Sequence, residues 1–307
     1  MNNVSFVIPA YNASAFLEET VLSVINGNLE SGDEIIIIDD CSTDTTWPLI
    51  QSLVENYNFI RAFQHDYNKG TAAAGRNTAI GKARHELIFA LDADNLLAPD
   101  SIAKLKEHLL SKKADAAAFG ELWFFETAPD NIGDRIVYPD EIELGDFFVH
   151  IATPGPSGNY MFTKQSWLRA GKYFEPTLLN QTNDSWSFAV AQVASGAKML
   201  TLPDTYYLHR KTSNSHYMRE KDRANRSISA LAALLPFLDL FYPADINYIM
   251  GPARYTWFDN LHTHPLRLRD GTKSLKTTAA LDKYGQSHLL VPSFYLRVKN
   301  YLLRLLK

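Results

Sequence analysis

The sequence has little or nothing of several features that mark whole classes of protein. Cys41 is the one cysteine in 307 residues, which excludes an internal disulfide and a thiolate metal cluster and favours a reducing compartment. No apolar run approaches the roughly 18–20 residues that a membrane span needs, and no signal peptide precedes the first predicted strand. A net charge of −4 gives no overall basic surface for a nucleic-acid partner. These absences predict a globular protein of the cytoplasm.

The common phosphate-binding loops are missing as well. The chain contains no Gly-x-x-x-x-Gly-Lys-Ser/Thr loop, and no Gly-x-Gly-x-x-Gly follows the first strand. It also lacks the glycine-rich, arginine-containing first loop that is typical of a sugar nucleotidyltransferase. Phosphate binding would therefore depend on a metal ion, on Lys69 or Arg76, and on backbone groups.

Strand and helix patterns alternate along the first hundred residues. Strands are predicted at residues 4–8, 34–38, 59–63 and 87–91, with a helical pattern after each of the first three. This order predicts an α/β fold with a parallel sheet, in which ligands bind at the carboxyl ends of the strands. Polar side chains follow three of those ends, at 9–12, 39–44 and 92–95.

Asp92 and Asp94 come directly after the buried fourth strand. Side chains two residues apart on an extended backbone point the same way, and two adjacent like charges at a buried strand end are costly unless a cation lies between them. Mg²⁺ or Mn²⁺ carrying a phosphate fits such a pair best. On this stretch alone, two solvated aspartates in a loop are an equally good interpretation.

Four segments in a fixed order, residues 4–12, 37–44, 68–77 and 92–94, resemble glycosyltransferase family 2. The resemblance covers about residues 1–215 and implies the GT-A fold, with a Rossmann-like, mostly parallel sheet flanked by helices. It places a glycosyltransferase domain at 1–218, divided into a nucleotide-sugar half at 1–100 and an acceptor half at 101–218. Residues 219–307 are predicted to form a C-terminal helical region.

The resemblance assigns the first two strand ends to the nucleotide. Pro9, Ala10 and Tyr11 would lie against the base and ribose, and Asp39 would recognise the uracil, with Asp40 as the weaker candidate. The alternatives are structural, because Tyr11 could simply pack and the two aspartates could cap helices.

Further contacts to the donor are implied along the chain. Lys69 and Gly70, with Arg76 and Asn77, would close over the nucleotide, and Arg210 would contact the pyrophosphate. Arg76 could instead pair with a structural carboxylate.

The metal site implied by the resemblance uses Asp94 as the ligand of Mn²⁺ or Mg²⁺. Asp92, with Ala93 beside it, would contact the ribose or the metal. The family often has a histidine ligand two residues after the arginine, but Thr212 stands there. His209 is the preferred substitute and His216 the alternative.

The catalytic base implied by the resemblance is Asp184. The family usually has Glu-Asp at this place, whereas this chain has Asn183 followed by Asp184. A carboxylate at a helix N-terminus is kept ionised by the helix dipole, which suits a base that takes a hydroxyl proton. The alternative is that Asp184 only caps the helix.

Residues 292–307 form a basic amphipathic pattern at the C-terminus. Such a helix could bind the inner face of the cell membrane peripherally, or it could pack on the core or on another subunit of an oligomer.

Together the residues and the resemblance predict an inverting, metal-dependent glycosyltransferase. Its donor would be a nucleotide sugar, expected to be a UDP-sugar, and its acceptor a hydroxyl of a glycan or glycolipid in surface polysaccharide synthesis. One alternative is a catalytically inactive nucleotide-sugar-binding protein, which the changes at Asn183 and Thr212 would explain. A sugar nucleotidyltransferase is the other, and its missing first loop counts against it.

Overall fold

The computed structural model describes residues 2–149, 151–175, 184–211 and 223–269. Their strands form one sheet of ten strands. In chain order these are β1 Val4–Ala10, β2 Glu34–Asp39, β3 Ile60–Gln64, β4 Leu87–Ala90, β5 Leu96–Leu97, β6 Ala116–Phe125, β7 Ile132–Val137, β8 Glu141–Ile142, β9 Met161–Thr163 and β10 Met199–Arg210.

Helices connect these strands and continue after them. They are α1 Leu17–Ile25, α2 Thr46–Asn56, α3 Ala72–Lys82, α4 Ser101–Ser111, α5 Lys164–Arg169, α6 Asp184–Ala194, α7 Arg223–Leu234 and α8 Pro243–Met250. Four short 3₁₀ helices lie at Leu144–Phe148, Gly155–Ser157, Leu235–Leu240 and Pro252–Tyr255.

The first half of the sheet has the order β3-β2-β1-β4, and all of its pairs are parallel. The four isoleucines of β2, at 35–38, are completely buried, as expected for a strand covered on both faces. The register pairs Ala10 with Asp39 and Asp39 with Gln64. The carboxyl ends of these strands therefore meet at one edge, as predicted.

The second half joins the first through β9, which pairs antiparallel with both β4 and β6. Beyond it, β6 and β10 form a long parallel ladder, and β5 pairs antiparallel with β10. Most paired residues of the sheet lie in its parallel ladders. The predicted α/β fold, with a mostly parallel sheet flanked by helices, is confirmed.

One local prediction was wrong. In the sequence, Ser14 followed by Glu18 and Glu19 predicts an N-cap for α1. The Ser14 hydroxyl instead donates to Asp44 Oδ2 at 2.7 Å, and the helix begins only at Leu17 without a side-chain cap. Residues 129–143, which the acidic sequence predicts as a surface insertion, contain β7 and β8, and β7 is mostly exposed. Strands β6 and β10 are long enough to offer them free edges, and they pair with those edges.

The described part of the C-terminal region shares a hydrophobic core with the acceptor half. Phe148 packs edge-to-face on Phe241 with ring centroids 4.9 Å apart, and Trp186 contacts Trp257 at 6.5 Å. Trp257 is completely buried. Residues 223–269 therefore support α6 from behind, while the domain boundary at 218 stays a prediction.

Among the residues that the structure describes, no helix is long and apolar enough to cross a membrane. The amphipathic segment 292–307, Asn183, Thr212 and His216 lie outside the described residues.

Candidate active site

Helix α3 lies unusually close to the end of β1. A Cβ added to Gly75 would lie 2.9 Å from Pro9 Cβ, a distance that real side chains do not adopt. Glycine therefore lets the first turn of α3 sit directly on the β1 end. The next residue along the helix, Arg76, is thereby placed among the polar strand ends.

Arg76 lies at the centre of the candidate site and is only 3% exposed. Its Nη2 donates to Asp92 Oδ1 at 2.5 Å, while its Nη1 donates to Asp184 Oδ2 at 3.0 Å and to Ser185 Oγ at 2.9 Å. Burial lowers the pKa of Arg76, but the two carboxylates outweigh it and the net pKa is raised. Arg76 is thus a buried cation that joins the end of β4 to the start of α6.

Asp92 is held by a second partner, Asn159. The Asp92 backbone N–H donates to Asn159 Oδ1 at 2.7 Å, and Asn159 Nδ2 donates to Asp92 Oδ2 at 3.1 Å. Arg76 binds one carboxylate oxygen and Asn159 binds the other. The predicted contact of Asp92 with ribose or metal stays a prediction.

Asp184 is the first residue of α6, whereas the apolar pattern at 186–194 predicts a helix that starts two residues later. Its Oδ1 accepts the backbone N–H of Ser185 at 2.8 Å, and its side chain is 22% exposed. The carboxylate is therefore fixed by Arg76 and the helix N-terminus and remains open to solvent on one side. That arrangement suits a base that must reach an acceptor, and its catalytic role stays a prediction.

Asp94, the predicted metal ligand, lies in the turn after β4 beside Asp92. Burial raises the pKa of its carboxyl to about 7, and the neighbouring charge of Asp92 adds to the rise. A bound cation would stabilise the ionised form of this carboxyl, because its positive charge offsets both the burial and the repulsion by Asp92. The described residues contain no group of three His, Cys, Asp or Glu side chains that could hold a metal. Mg²⁺ needs only one or two carboxylates when substrate phosphates complete its shell, so Asp94 fits the predicted ion.

His209 lies on β10 with its Nδ1 buried and without a hydrogen-bond partner among the described atoms. Burial lowers its pKa, which favours the neutral imidazole that a metal ligand requires. Its ring packs edge-on against Phe124 at 5.3 Å. Metal binding by His209 stays a prediction.

Arg210 is enclosed by the protein in this structure. Its guanidinium pairs with Glu19 and lies between the rings of Phe16 and Phe125, 4.7 and 4.4 Å from their centroids. Its Nε donates to the backbone carbonyl of Asp94 at 3.2 Å. Arg210 therefore stabilises the turn that carries Asp94, and its contact with a pyrophosphate stays a prediction.

The predicted nucleotide contacts lie around the ends of β1 and β2. Asp40 accepts the backbone N–H groups of Lys69 and Gly70 at 2.9 and 3.3 Å, so it shapes the turn before α3. Asp39 is completely buried and accepts Ser42 Oγ at 2.5 Å and Gln64 Nε2 at 2.8 Å. Both aspartates thus have structural partners, and recognition of a base by Asp39 stays a prediction.

Tyr11 and Lys69 remain accessible beside these turns. Tyr11 is 47% exposed, and Lys69 Nζ lies 3.5 Å from the centroid of the Tyr67 ring. Ala10 ends β1, and Ala93 is buried in the turn between Asp92 and Asp94. These positions are compatible with a nucleotide lying across the strand ends.

Sequence reasoning missed Asn159 and Ser185. Asn159 contacts Asp92 across 67 positions of the chain, and Arg76 contacts Ser185 across 109. Neither residue belongs to a local pattern, because the partners meet only through the sheet. The turn-forming residues at 153–158, directly before Asn159, are the one signal in the sequence, and they predict a loop in the acceptor pocket or a lid.

Comparison with known proteins identifies the family and the fold of the chain. The sequence profile of Glycosyl transferase family 2 matches residues 5–171, more than half of the chain. The glycosyltransferase GlyG of Streptococcus pneumoniae serotype 4 is 25% identical over 227 residues, which cover 71% of this chain and 74% of GlyG. The chain spans less than half of other curated relatives, 44% and 42% of the length of two of them.

Two solved structures share the fold. S. aureus TarS 1-349 in complex with UDP-GlcNAc matches with a TM-score of 0.61 and 16% identity, covering 85% of this chain and 72% of that one. The mannosyltransferase PcManGT from Pyrobaculum calidifontis, in complex with GDP-Man and Mn²⁺, matches with a TM-score of 0.59 and 18% identity, covering 99% and 80%. At these identities the likeness concerns the fold.

Proposed function

The chain belongs to glycosyltransferase family 2, and from that premise we propose that it transfers a sugar from a nucleotide sugar to a hydroxyl of a glycan or glycolipid acceptor. One observation carries the proposal. Arg76 joins Asp92, which follows β4, to Asp184, which begins α6. Arg76 and Asp92 of the nucleotide-sugar half and the proposed base of the acceptor half thus form one charged cluster at the strand ends, where α/β proteins bind ligands.

The proposed donor is a UDP-sugar with a divalent cation, Mn²⁺ or Mg²⁺. TarS binds UDP-GlcNAc and PcManGT binds GDP-Man with Mn²⁺, and these partners support the class of donor rather than the particular sugar. Asp94 would hold the cation, which supplies charge neutralisation for the departing diphosphate. Tyr11, Asp39 and the Lys69–Gly70 turn would bind the nucleoside.

The proposed chemistry is a single displacement with inversion. Asp184 accepts the proton of the acceptor hydroxyl as its oxygen forms the bond to the anomeric carbon. The bond from that carbon to the diphosphate oxygen breaks, and its electron pair leaves with the nucleoside diphosphate. Arg76 fixes the direction in which the Asp184 carboxylate points, and the helix N-terminus supports its charge. The cytoplasmic location and the surface glycan as acceptor belong to this proposal too.

A thermal-shift panel with UDP, UDP-GlcNAc, UDP-glucose and GDP-mannose, with and without Mn²⁺, tests donor binding. A ligand that binds the folded state raises the melting temperature, and the shift grows with the logarithm of the ligand concentration divided by Kd. We expect stabilisation that requires Mn²⁺ and is absent in Asp94→Asn. No stabilisation of the wild type by any of these compounds would refute the donor proposal.

Release of free nucleoside diphosphate, measured with and without candidate glycan acceptors, tests transfer. Asp184→Asn should still bind the donor and lose turnover by about 100-fold or more, since a positioned base contributes about 10²–10⁴-fold. Binding without turnover in the wild type would instead favour the inactive binding protein. Equal turnover in Asp184→Asn would refute the role of Asp184.

A further inference from the structure

The segment 154–160 packs its backbone directly on the charged centre of the site. Gly158 has a φ of +71°, and a Cβ there would lie 2.6 Å from Ser185 Oγ and 3.2 Å from Arg76 Nη2. Tyr160, two residues later, is hydrogen-bonded to β4, since the Ala90 N–H donates to the Tyr160 carbonyl at 3.2 Å. The segment is therefore held between β4 on one side and α6 on the other.

Asn159 lies inside this segment and is 1% exposed. Its amide oxygen accepts the backbone N–H of Asp92, and its amide nitrogen donates both to Asp92 Oδ2 and to the Ser157 carbonyl, the last at 2.5 Å. It thus binds Asp92 by both backbone and carboxylate. Arg76 takes the remaining oxygen of that carboxylate, so the rotation of Asp92 is fixed from two sides.

A continuous chain of hydrogen bonds runs from Asn159 to Asp92, from Asp92 to Arg76, and from Arg76 to Asp184. We propose that Asn159 is a positioning residue, which sets the orientation of Asp184 through Asp92 and Arg76 without contacting the substrate. Its effect on turnover rests on the proposed function, whereas its coupling to Asp184 does not.

The chemistry of this position requires an amide. A backbone N–H needs an acceptor and a carboxylate needs a donor, and an asparagine side chain supplies both. In Asn159→Asp the shape and the acceptor are kept, but the donor becomes a second negative charge beside Asp92. That charge also competes with Asp184 for Arg76. A residue that merely fills space would change the melting temperature in these variants without a specific loss of kcat, whereas a positioning residue would lower kcat as well.

The kinetic test measures release of UDP from UDP-GlcNAc in the presence of Mn²⁺. We expect kcat to fall about 10- to 100-fold in Asn159→Ala, because a hydrogen bond to a charged group is lost. The donor KM should change less than about threefold, since the loss falls on the transfer step. Asn159→Asp should be slower than Asn159→Ala. Equal kcat in wild type and Asn159→Ala, or a faster aspartate variant, would overturn the proposal.

Asn28 provides a matched control. It is 3% exposed, and its side chain donates to Ala98 O and accepts from the Ser101 backbone, both at 3.0 Å, at the start of α4 and outside the proposed site. Asn28→Ala should lower the melting temperature about as much as Asn159→Ala and leave kcat unchanged. A comparable loss of kcat in both variants would assign the effect to general destabilisation.

A double-mutant cycle of thermal stability tests the coupling between Asn159 and Asp184 even if UDP-GlcNAc is not a substrate. Asn159 and Asp184 share no hydrogen bond, so Asn159→Ala and Asp184→Ala should be non-additive only if the intervening pair links them. We expect the melting temperature of the double variant to differ from the sum of the single shifts by more than about 2 °C. The cycle of Asn28→Ala with Asp184→Ala should be additive. Additivity in both cycles would overturn the inference, whereas an inactive wild type with a coupled cycle would count against the proposed function alone.

Discussion

Removal of the positive charge of Arg76 is the sharpest test of the site. The guanidinium is buried between the carboxylates of Asp92 and Asp184, whose side chains are 26% and 22% exposed. Arg76→Met keeps much of the length of the side chain and leaves two negative charges without their cation. Breaking a buried ion pair in this way costs about 3–5 kcal/mol. Because water reaches both carboxylates, we expect the lower end, about 3 kcal/mol.

Thermal unfolding measured by circular dichroism checks this value. A loss of about 3 kcal/mol corresponds to a fall in Tm of about 5 °C for a protein of this size. Arg169→Met is the control, since Arg169 pairs with Asp115 at 2.8 Å with its side chain 37% exposed, and an exposed pair contributes less than about 1 kcal/mol.

A charge-neutral variant separates repulsion from lost packing. If uncompensated charge causes the loss, Arg76→Met combined with Asp92→Asn and Asp184→Asn should recover more than half of it, because neither partner of Arg76 then carries a charge. A fall in Tm no larger than that of Arg169→Met would refute the assignment of Arg76 as the buried centre of the site. A full loss that the neutral variant does not reverse would assign the effect to shape rather than to charge.

Three further predictions follow from local geometry. Without metal, the raised pKa of Asp94, about 7, favours the protonated carboxyl in the folded state. The contribution of Asp94 to the free energy of unfolding is therefore present below pH 4 and is lost as the pH rises through 7. In urea titrations, Asp94→Asn should remove this pH dependence, and the affinity for Mn²⁺ should rise with pH up to about 7. Gly158→Ala should destabilise the protein more than Gly171→Ala, because both glycines have positive φ but only the first would meet Ser185; equal losses in Tm would contradict this. Trp257→Ala should cost about 3–5 kcal/mol in denaturant unfolding, since the side chain is completely buried, and a loss below about 1 kcal/mol would contradict a shared core.

The fold was largely predictable because its signals are local. A run such as the four isoleucines of β2 indicates a strand buried on both faces, and the strand ends follow directly from that. The prediction failed where two hydrogen bonds compete for one side chain. Ser14 could cap α1 or bond to Asp44, and the sequence does not show that Asp44 is near.

The candidate site was predictable only in part, for a physical reason. Asp92, Arg76 and Asp184 stand out as charged residues at element ends, but their mutual contacts span 16 and 108 positions of the chain. Asn159 has no pattern of its own, because an asparagine before a short strand most often belongs to a turn. The role of Asn159 depends on which strand lies beside it, and β9 pairs with β4 only in the folded sheet.

The antiparallel strand β9 explains how one site can draw on both halves of the sheet. A purely parallel sheet would place the acceptor half beyond further crossover helices, far from the end of β4. Because β9 runs antiparallel beside β4, the residue just before it, Tyr160, lies next to Ala90, and Asn159 comes within reach of Asp92. The same chain then continues to α6, whose first turn is held by Arg76 and whose Trp186 packs on the C-terminal region. The orientation of the proposed base is therefore a property of the closed fold, and variants that loosen β9 or the Trp186 contacts should weaken turnover before they abolish donor binding.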